Sequence, residues 1–339
     1  MTRQRLHWLD AAKGGAIMLV VLHHSIIHAS AAGIADSLYE SLDHYLRQMR
    51  MPLFFIASGI TASFAINSTP SQYLTRKVLP ICWILLVWTL ILGLVFQDFI
   101  LSHPFGADGV FAYVMHGFLQ PDYGLWFVVA ILWMSVLAYL VRDLPPWLVL
   151  TIAFVIAALI GFGLGPQTIP LLSDHLVNQV LSYGFFFFLG LYGRNIIVTF
   201  ANRPRYVAVA FLVSAIVFVF FNKFPAGIDA PALFTRSGVL RSLAGATAGL
   251  CIAIVASRMA VIGEWLSWFG NRSLSIFVAH GLFLIPLAGW PLLLFADMRV
   301  AELVAPALLA ALSIAGSLLL YQALIRLHMR WLYRLPIRI

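Results

Sequence analysis

The chain has 339 residues, of which 62% are hydrophobic and only 10% charged, with 21 Lys and Arg against 13 Asp and Glu. An ordinary soluble domain is about 25% charged, so this composition excludes a soluble, disordered or disulfide-stapled protein and leaves an integral membrane protein. Cys82 and Cys251 both sit inside apolar runs, so redox and cysteine-ligated metal chemistry have almost no material.

Ten uncharged blocks follow one another along the chain: 14–35, 51–75, 78–97, 123–141, 144–173, 175–193, 206–222, 242–257, 273–296 and 303–325. Roughly 20 apolar residues cross a hydrocarbon core as a helix, which predicts an all-α bundle of about ten transmembrane helices in one domain, 1–339. The blocks 206–222 and 242–257 are short for this task. Strands are excluded because the runs are apolar on all sides and an open sheet cannot sit in lipid. The first run is full length and has no clear cleavage site, so it reads as a retained span rather than a signal peptide. The segment 109–121 carries Tyr113, His116 and Gln120 and reads as a re-entrant or interfacial helix.

Charge gives the orientation. With a cytoplasmic N-terminus and ten spans, fifteen basic residues fall on the cytoplasmic side and six on the outer side. That bias predicts a multipass protein with both termini cytoplasmic. The formal net charge of +8 is then an orientation signal and a match to anionic lipid, and nucleic acid is not expected as a partner.

The candidate site residues are the polar ones that are costly to place in a membrane. In the first span Asp10 and Lys13 lie three apart and can pair, or can simply cap the inner leaflet with a snorkelling lysine. His24 lies fourteen residues further on, about 21 Å along a helix and near mid-membrane. It shares a face with His28, while His23 is turned away by about 100°; one such histidine could also be a structural inter-helix bond. A metal is not expected, because no intramembrane carboxylate or cysteine completes a ligand set. The second span opens at Arg50-Met51-Pro52, with Pro52 suited to a helix start, Arg50 at the outer mouth or on a headgroup, and Ser58-Gly59 further in. Arg76-Lys77 ends that span as a stop signal or a phosphate site. Tyr123-Gly124-Leu125-Trp126 opens the fourth span, where an aromatic belt alone would explain Trp126. Asn271, Ser273 and Ser275 open the ninth span, and His280 lies seven residues beyond Ser273, at a depth comparable with His24.

In this order the motifs resemble a known family. They are Arg5…Leu9-Asp10-x-x-Lys13-Gly14…His24, Met51-Pro52-Leu53-Phe54-Phe55-Ile56-x-Ser58-Gly59, Arg76-Lys77-x-x-Pro80, Leu125-Trp126-Phe127, and Phe269-Gly270-Asn271-x-Ser273-Leu274-x-Ile276-Phe277-x-x-His280. Over nearly the whole chain this is similar to the acyltransferase-3 family of multipass membrane acyltransferases. The resemblance implies transfer of an acyl group, most commonly acetyl, from cytoplasmic acyl-CoA to a hydroxyl of a sugar, glycan or lipid-linked saccharide, in a bacterial inner membrane. It implies His24 as the essential residue and Lys13, Arg76 and Lys77 as contacts for the nucleotide end of CoA. His280, Arg50, Ser58, Trp126, Asn271 and Ser275 complete the expected catalytic set, with Ser58, Trp126, Asn271 or Ser275 as the oxyanion donor and His280 as an orienting or substrate-binding group. Two positions depart from the family pattern. Many members carry Arg at the Lys13 position, although a subgroup resembling fucose acetyltransferases has Lys; many carry His where this chain has Arg50, which could instead meet an anionic acceptor or a succinyl group. A small-molecule or glycan transporter is the alternative reading, and a non-catalytic scaffold the third.

Overall fold

The computed structural model describes residues 6–96, 109–121, 124–166, 173–223, 238–289 and 299–336. The motif residues Arg5 and Tyr123 lie outside the described residues. Every described element is helical: α1 (His7–Ala31), α2 (Ser37–Ala62), α3 (Pro70–Val95, with a π-helical turn at Leu74–Val78), α4 (Gly109–Leu119), α5 (Trp126–Leu140), α6 (Pro146–Gly161), α7 (Asp174–Ala201), α8 (Pro204–Lys223), α9 (Gly238–Ala256), α10 (Ala260–Gly270), α11 (Ser273–Gly289) and α12 (Arg299–Arg326), then a 3₁₀ turn at Arg330–Leu332.

Six helices are long and apolar enough to cross a membrane, namely α1, α3, α7, α8, α9 and α12. A seventh span results if α10 and α11, bent by 71° at their junction, count as one. The two short blocks, 206–222 and 242–257, are extended by flanking residues into α8 and α9. The expected count of ten is not reached by length and apolarity. α5 and α6 have 15 and 16 residues, and α2 spends its first half on the charged stretch before Met51. α4 occupies the segment expected to be re-entrant or interfacial, with 11 residues, too few to span.

Contacts divide the chain into two units, one of Met1–Ala57 with Gly193–Leu320, the other of Ser58–Tyr192 with Tyr321–Ile339. In the first, α1 packs along α10 and touches α9 and α11. The crossing with α10 is backbone on backbone. A Cβ on Gly14 would fall on the Leu266 carbonyl, and one on Gly270 on the Asp10 carbonyl, so both motif glycines serve close approach. Gly14→Ala is therefore expected to lower stability by about 1–3 kcal/mol through overpacking, read as an earlier thermal unfolding in detergent; a variant as stable as wild type would contradict this contact.

α1 ends in a Schellman turn: Gly33 adopts φ 72°, its N–H reaches Ser30 O, and the Ile34 N–H reaches Ala29 O. Ile34 then packs with Ala29, Leu284, Ala288, Ala305 and Leu309 from α1, α11 and α12. This turn sends the chain back into α2, whose first half is thus brought alongside α1. Pro52 does not start α2, as its sequence context suggested, but lies in the helix interior. The apolar block begins at Met51, but the amphipathic stretch from Ser37 is itself helical. Pro52 lacks the N–H that would reach the Gln48 carbonyl, and Gly245 of α9 sits over that carbonyl at a Cβ distance of 2.8 Å.

In the second unit, Thr69 caps α3, its hydroxyl accepting from the Gln72 N–H, with Pro70 at the first position. Tyr73 stacks on Tyr139 at 4.3 Å and donates to Ser135 O of α5, anchoring the start of the π turn. α4 lies flush on α3 where Gly93 faces Tyr113 and Gly117 faces Thr89. Trp83 and Trp88 donate to the carbonyls of Trp331 and Leu332, tying the C-terminal turn to α3. Gly59 meets the Phe187 backbone of α7, so this motif residue also serves packing.

Candidate active site

The first unit brings together three histidine rings. His24 of α1 and His280 of α11 have ring centroids 5.1 Å apart, and His24 and its neighbour His23 also lie 5.1 Å apart. The similar depths expected for His24 and His280 thus correspond to direct contact between two helices. His280 is 3% exposed, and its Nδ1–H donates to Phe277 O at 2.6 Å. Its tautomer follows: Nε2 carries the lone pair. The Ser313 hydroxyl of α12 donates to the His280 carbonyl at 2.8 Å and fixes the backbone from the other side. His24 and His28 are half-buried.

His23 faces α2 rather than α11. Its Nδ1 lies 3.0 and 2.9 Å from the two carboxylate oxygens of Asp43. Only an Nδ1–H satisfies both acceptors, so in the neutral ring the His23 lone pair lies on Nε2. Asp43 in turn accepts from the Arg50 guanidinium at 2.6 Å. Asp43 lies before the uncharged block 51–75. Burial pushes its carboxyl towards the neutral form, but the His23 hydrogen bond and the Arg50 charge outweigh that and hold it below the ordinary value. Arg50 is 2% exposed. A guanidinium so buried needs a paired carboxylate, and Asp43, two helical turns earlier on the same face, supplies it. Arg50 thus lies inside the unit rather than on a headgroup.

The remaining expected residues divide between the two units. In the first, Lys13 is half-buried within electrostatic reach of Asp10. Asn271 sits at the α10–α11 bend and its amide donates to Ser267 O at 2.7 Å, while Ser275 is buried in the opening turns of α11. In the second, Arg76 is exposed and Lys77 half-buried, both on the π turn of α3. A π turn widens the helix and is frequent at functional sites. Ser58 is half-buried near the end of α2. Trp126 starts α5 and stacks on Tyr183 at 6.2 Å, with His175 edge-on at 6.1 Å.

Sequence reasoning missed His23 and Asp43. In sequence, His23 points away from the His24 face, and Asp43 lies outside the uncharged blocks. The only signal was the spacing of Asp43 and Arg50, seven apart and so on one helical face. Among the described residues, no group of three or more His, Cys, Asp or Glu side chains is arranged to hold a metal ion.

The apolar helices are those of a membrane protein, and within the first unit His23, His24 and His280 lie in ring contact. The model of the acyltransferase-3 family, described as an acyltransferase domain, matches residues 6–322. The chain belongs to this family and is an acyltransferase. No curated protein and no solved structure matches it.

Proposed function

We propose that the protein transfers an acyl group, acetyl in the first instance, from acyl-CoA on the cytoplasmic side to a hydroxyl of a sugar or glycan at the membrane or its outer side. The observation that carries this reading is the His24 ring, half-buried and flanked at 5.1 Å by two other imidazoles, in a chain of an acyltransferase family. His24, neutral, takes the proton of the acceptor hydroxyl as its oxygen attacks the thioester carbonyl. The carbon–sulfur bond then breaks, and the proton passes to the thiolate, leaving CoA and the acyl ester. Imidazole suits both halves because it accepts and returns a proton near neutral pH. An acyl-histidine on His24, passed on to the acceptor in a second step, is the rival sequence.

Arg76 and Lys77 bind CoA phosphates in this reading, since phosphate recognition needs permanent positive charge, with Lys13 as a further cation. One of Ser58, Trp126, Asn271 or Ser275 is the oxyanion donor in this reading. A neutral acyl group such as acetyl is favoured over succinyl, because the Arg50 guanidinium is already paired with Asp43. The basic excess on one side of the expected spans supports cytoplasmic termini, and a bacterial inner membrane is the setting that the family resemblance implies. The 71° bend between α10 and α11 is a feature that the transporter reading shares, but broken helices alone do not move a substrate, and the family favours group transfer.

Purified protein incubated with labelled acetyl-CoA or succinyl-CoA and a panel of glycans tests the reading. Label entering a glycan from acetyl-CoA, with succinyl-CoA at least about tenfold poorer in kcat/KM, is the expected result. Absence of transfer from any acyl-CoA to any saccharide would refute it.

A further inference from the structure

His24, in taking a proton, becomes a cation inside an apolar bundle, and such a charge needs a negative partner. His280 cannot provide one: its Nδ1–H is committed to the neutral Phe277 carbonyl and it is 3% exposed. A second ring in contact with His24 is His23, and it leads directly to a carboxylate. Both oxygens of Asp43 lie within 3.0 Å of His23 Nδ1. This chain of groups, from His24 through His23 to Asp43 and Arg50, joins α1 to α2.

We propose that Asp43 is the carboxylate of the reaction centre, a positioning residue that acts on His24 through His23, and that Arg50 serves to hold Asp43 rather than to bind an acceptor. The assignment rests on the acyl-transfer reading and extends it to Asp43 and His23, which lie outside the expected catalytic set. Asp43 fixes the His23 tautomer, keeps the Nε2 lone pair available and polarises the ring. His23 then carries part of the negative potential of Asp43 towards His24, favouring the imidazolium that forms as the acceptor oxygen attacks. Asp43 neither gains nor loses a proton overall: the O–H proton goes to His24 and then to the thiolate sulfur, the acyl C–O bond forms and the C–S bond breaks.

Arg50 explains why this carboxylate stays put. Its guanidinium, 2% exposed, donates at 2.6 Å to the oxygen that also receives His23. A plain ion pair along α2 would stabilise that helix without reaching α1. Here the carboxylate is shared between its own helix and the histidine next to His24.

The test compares wild type, Asp43→Asn, Asp43→Glu and the double variant Asp43→Asn with Arg50→Gln, which removes both charges and leaves no unpaired guanidinium. Folded yield and thermal unfolding are measured together with kcat and KM for acetyl-CoA and for the acceptor. Asp43→Asn should lower kcat about 10- to 100-fold with KM within about twofold, a smaller loss than removal of a triad aspartate because Asp43 acts one ring further away. Asp43→Glu should recover much of that loss. Where Asp43→Asn does not accumulate, the double variant is expected to fold and to show the same loss of kcat. A folded Asn or double variant with kcat within about twofold of wild type would overturn the proposal, as would a loss that follows thermal stability and is not relieved by Glu. Wild type inactive with every acyl-CoA would instead strike the acyl-transfer reading, and the proposal would fall with it.

Discussion

Replacing His24 with alanine is expected to lower kcat about 10²- to 10⁴-fold, the usual contribution of a positioned acid–base group. KM for acyl-CoA should change little, because an interaction made only in the transition state appears in kcat. The variant should still fold. His24 is half-buried, and its neighbours His23 and His280 have their own anchors in Asp43 and Phe277. His24→Gln should be as inactive as His24→Ala, since the amide keeps size and hydrogen bonding but has no basic lone pair. Steady-state kinetics on both variants, alongside their thermal unfolding, checks this. Either variant retaining transfer near the wild-type rate would remove His24 from the chemistry.

Removing the charges of Arg76 and Lys77 together is expected to raise KM for acyl-CoA about 10²-fold and to change kcat much less. A hydrogen bond to a charged group contributes about 1.5–3 kcal/mol, and each 1.4 kcal/mol is about tenfold. Arg76 is exposed, so screening by water and salt holds the pair to the low end of that sum. If the two residues only anchor topology, KM will stay put. An acyl-pantetheine donor without the nucleotide phosphates separates the cases: its KM should be high in wild type and unmoved by the substitutions. Equal sensitivity of both donors would show that the two residues do not act on the phosphates.

Much of the architecture was legible because charge spacing along an apolar chain is a direct readout of burial in lipid. Nine of the ten blocks each overlap one helix, though 144–173 runs well past Gly161 and 175–193 stops short of Ala201, and the break before Ser273 follows from Gly270 and Asn271. α2 was less legible. Its helix starts at Ser37, in a stretch whose polar face conceals it from a search for uncharged runs, and Pro52 looked like a start because a proline is costly inside a helix. His24 and His280 could be matched by depth because the rise per residue is fixed; that their helices touch is a tertiary fact no periodicity contains. The pairing of Asp43 with His23 lies further still from the sequence. It depends on the Gly33 turn bringing the two helices together and on a buried arginine whose partner had to be found in three dimensions. Gly14 and Gly270 carry the opposite lesson, since residues shared with a catalytic family meet here as backbone contact between α1 and α10.

The most direct test of the account uses sealed vesicles of one orientation, with labelled acetyl-CoA supplied to a single face and a saccharide acceptor to the other. The account predicts labelled acceptor only when the donor meets the face bearing the chain termini, and at least about 10²-fold less of it in vesicles carrying His24→Ala. Label appearing with the donor on the opposite face alone, or undiminished without His24, would contradict it.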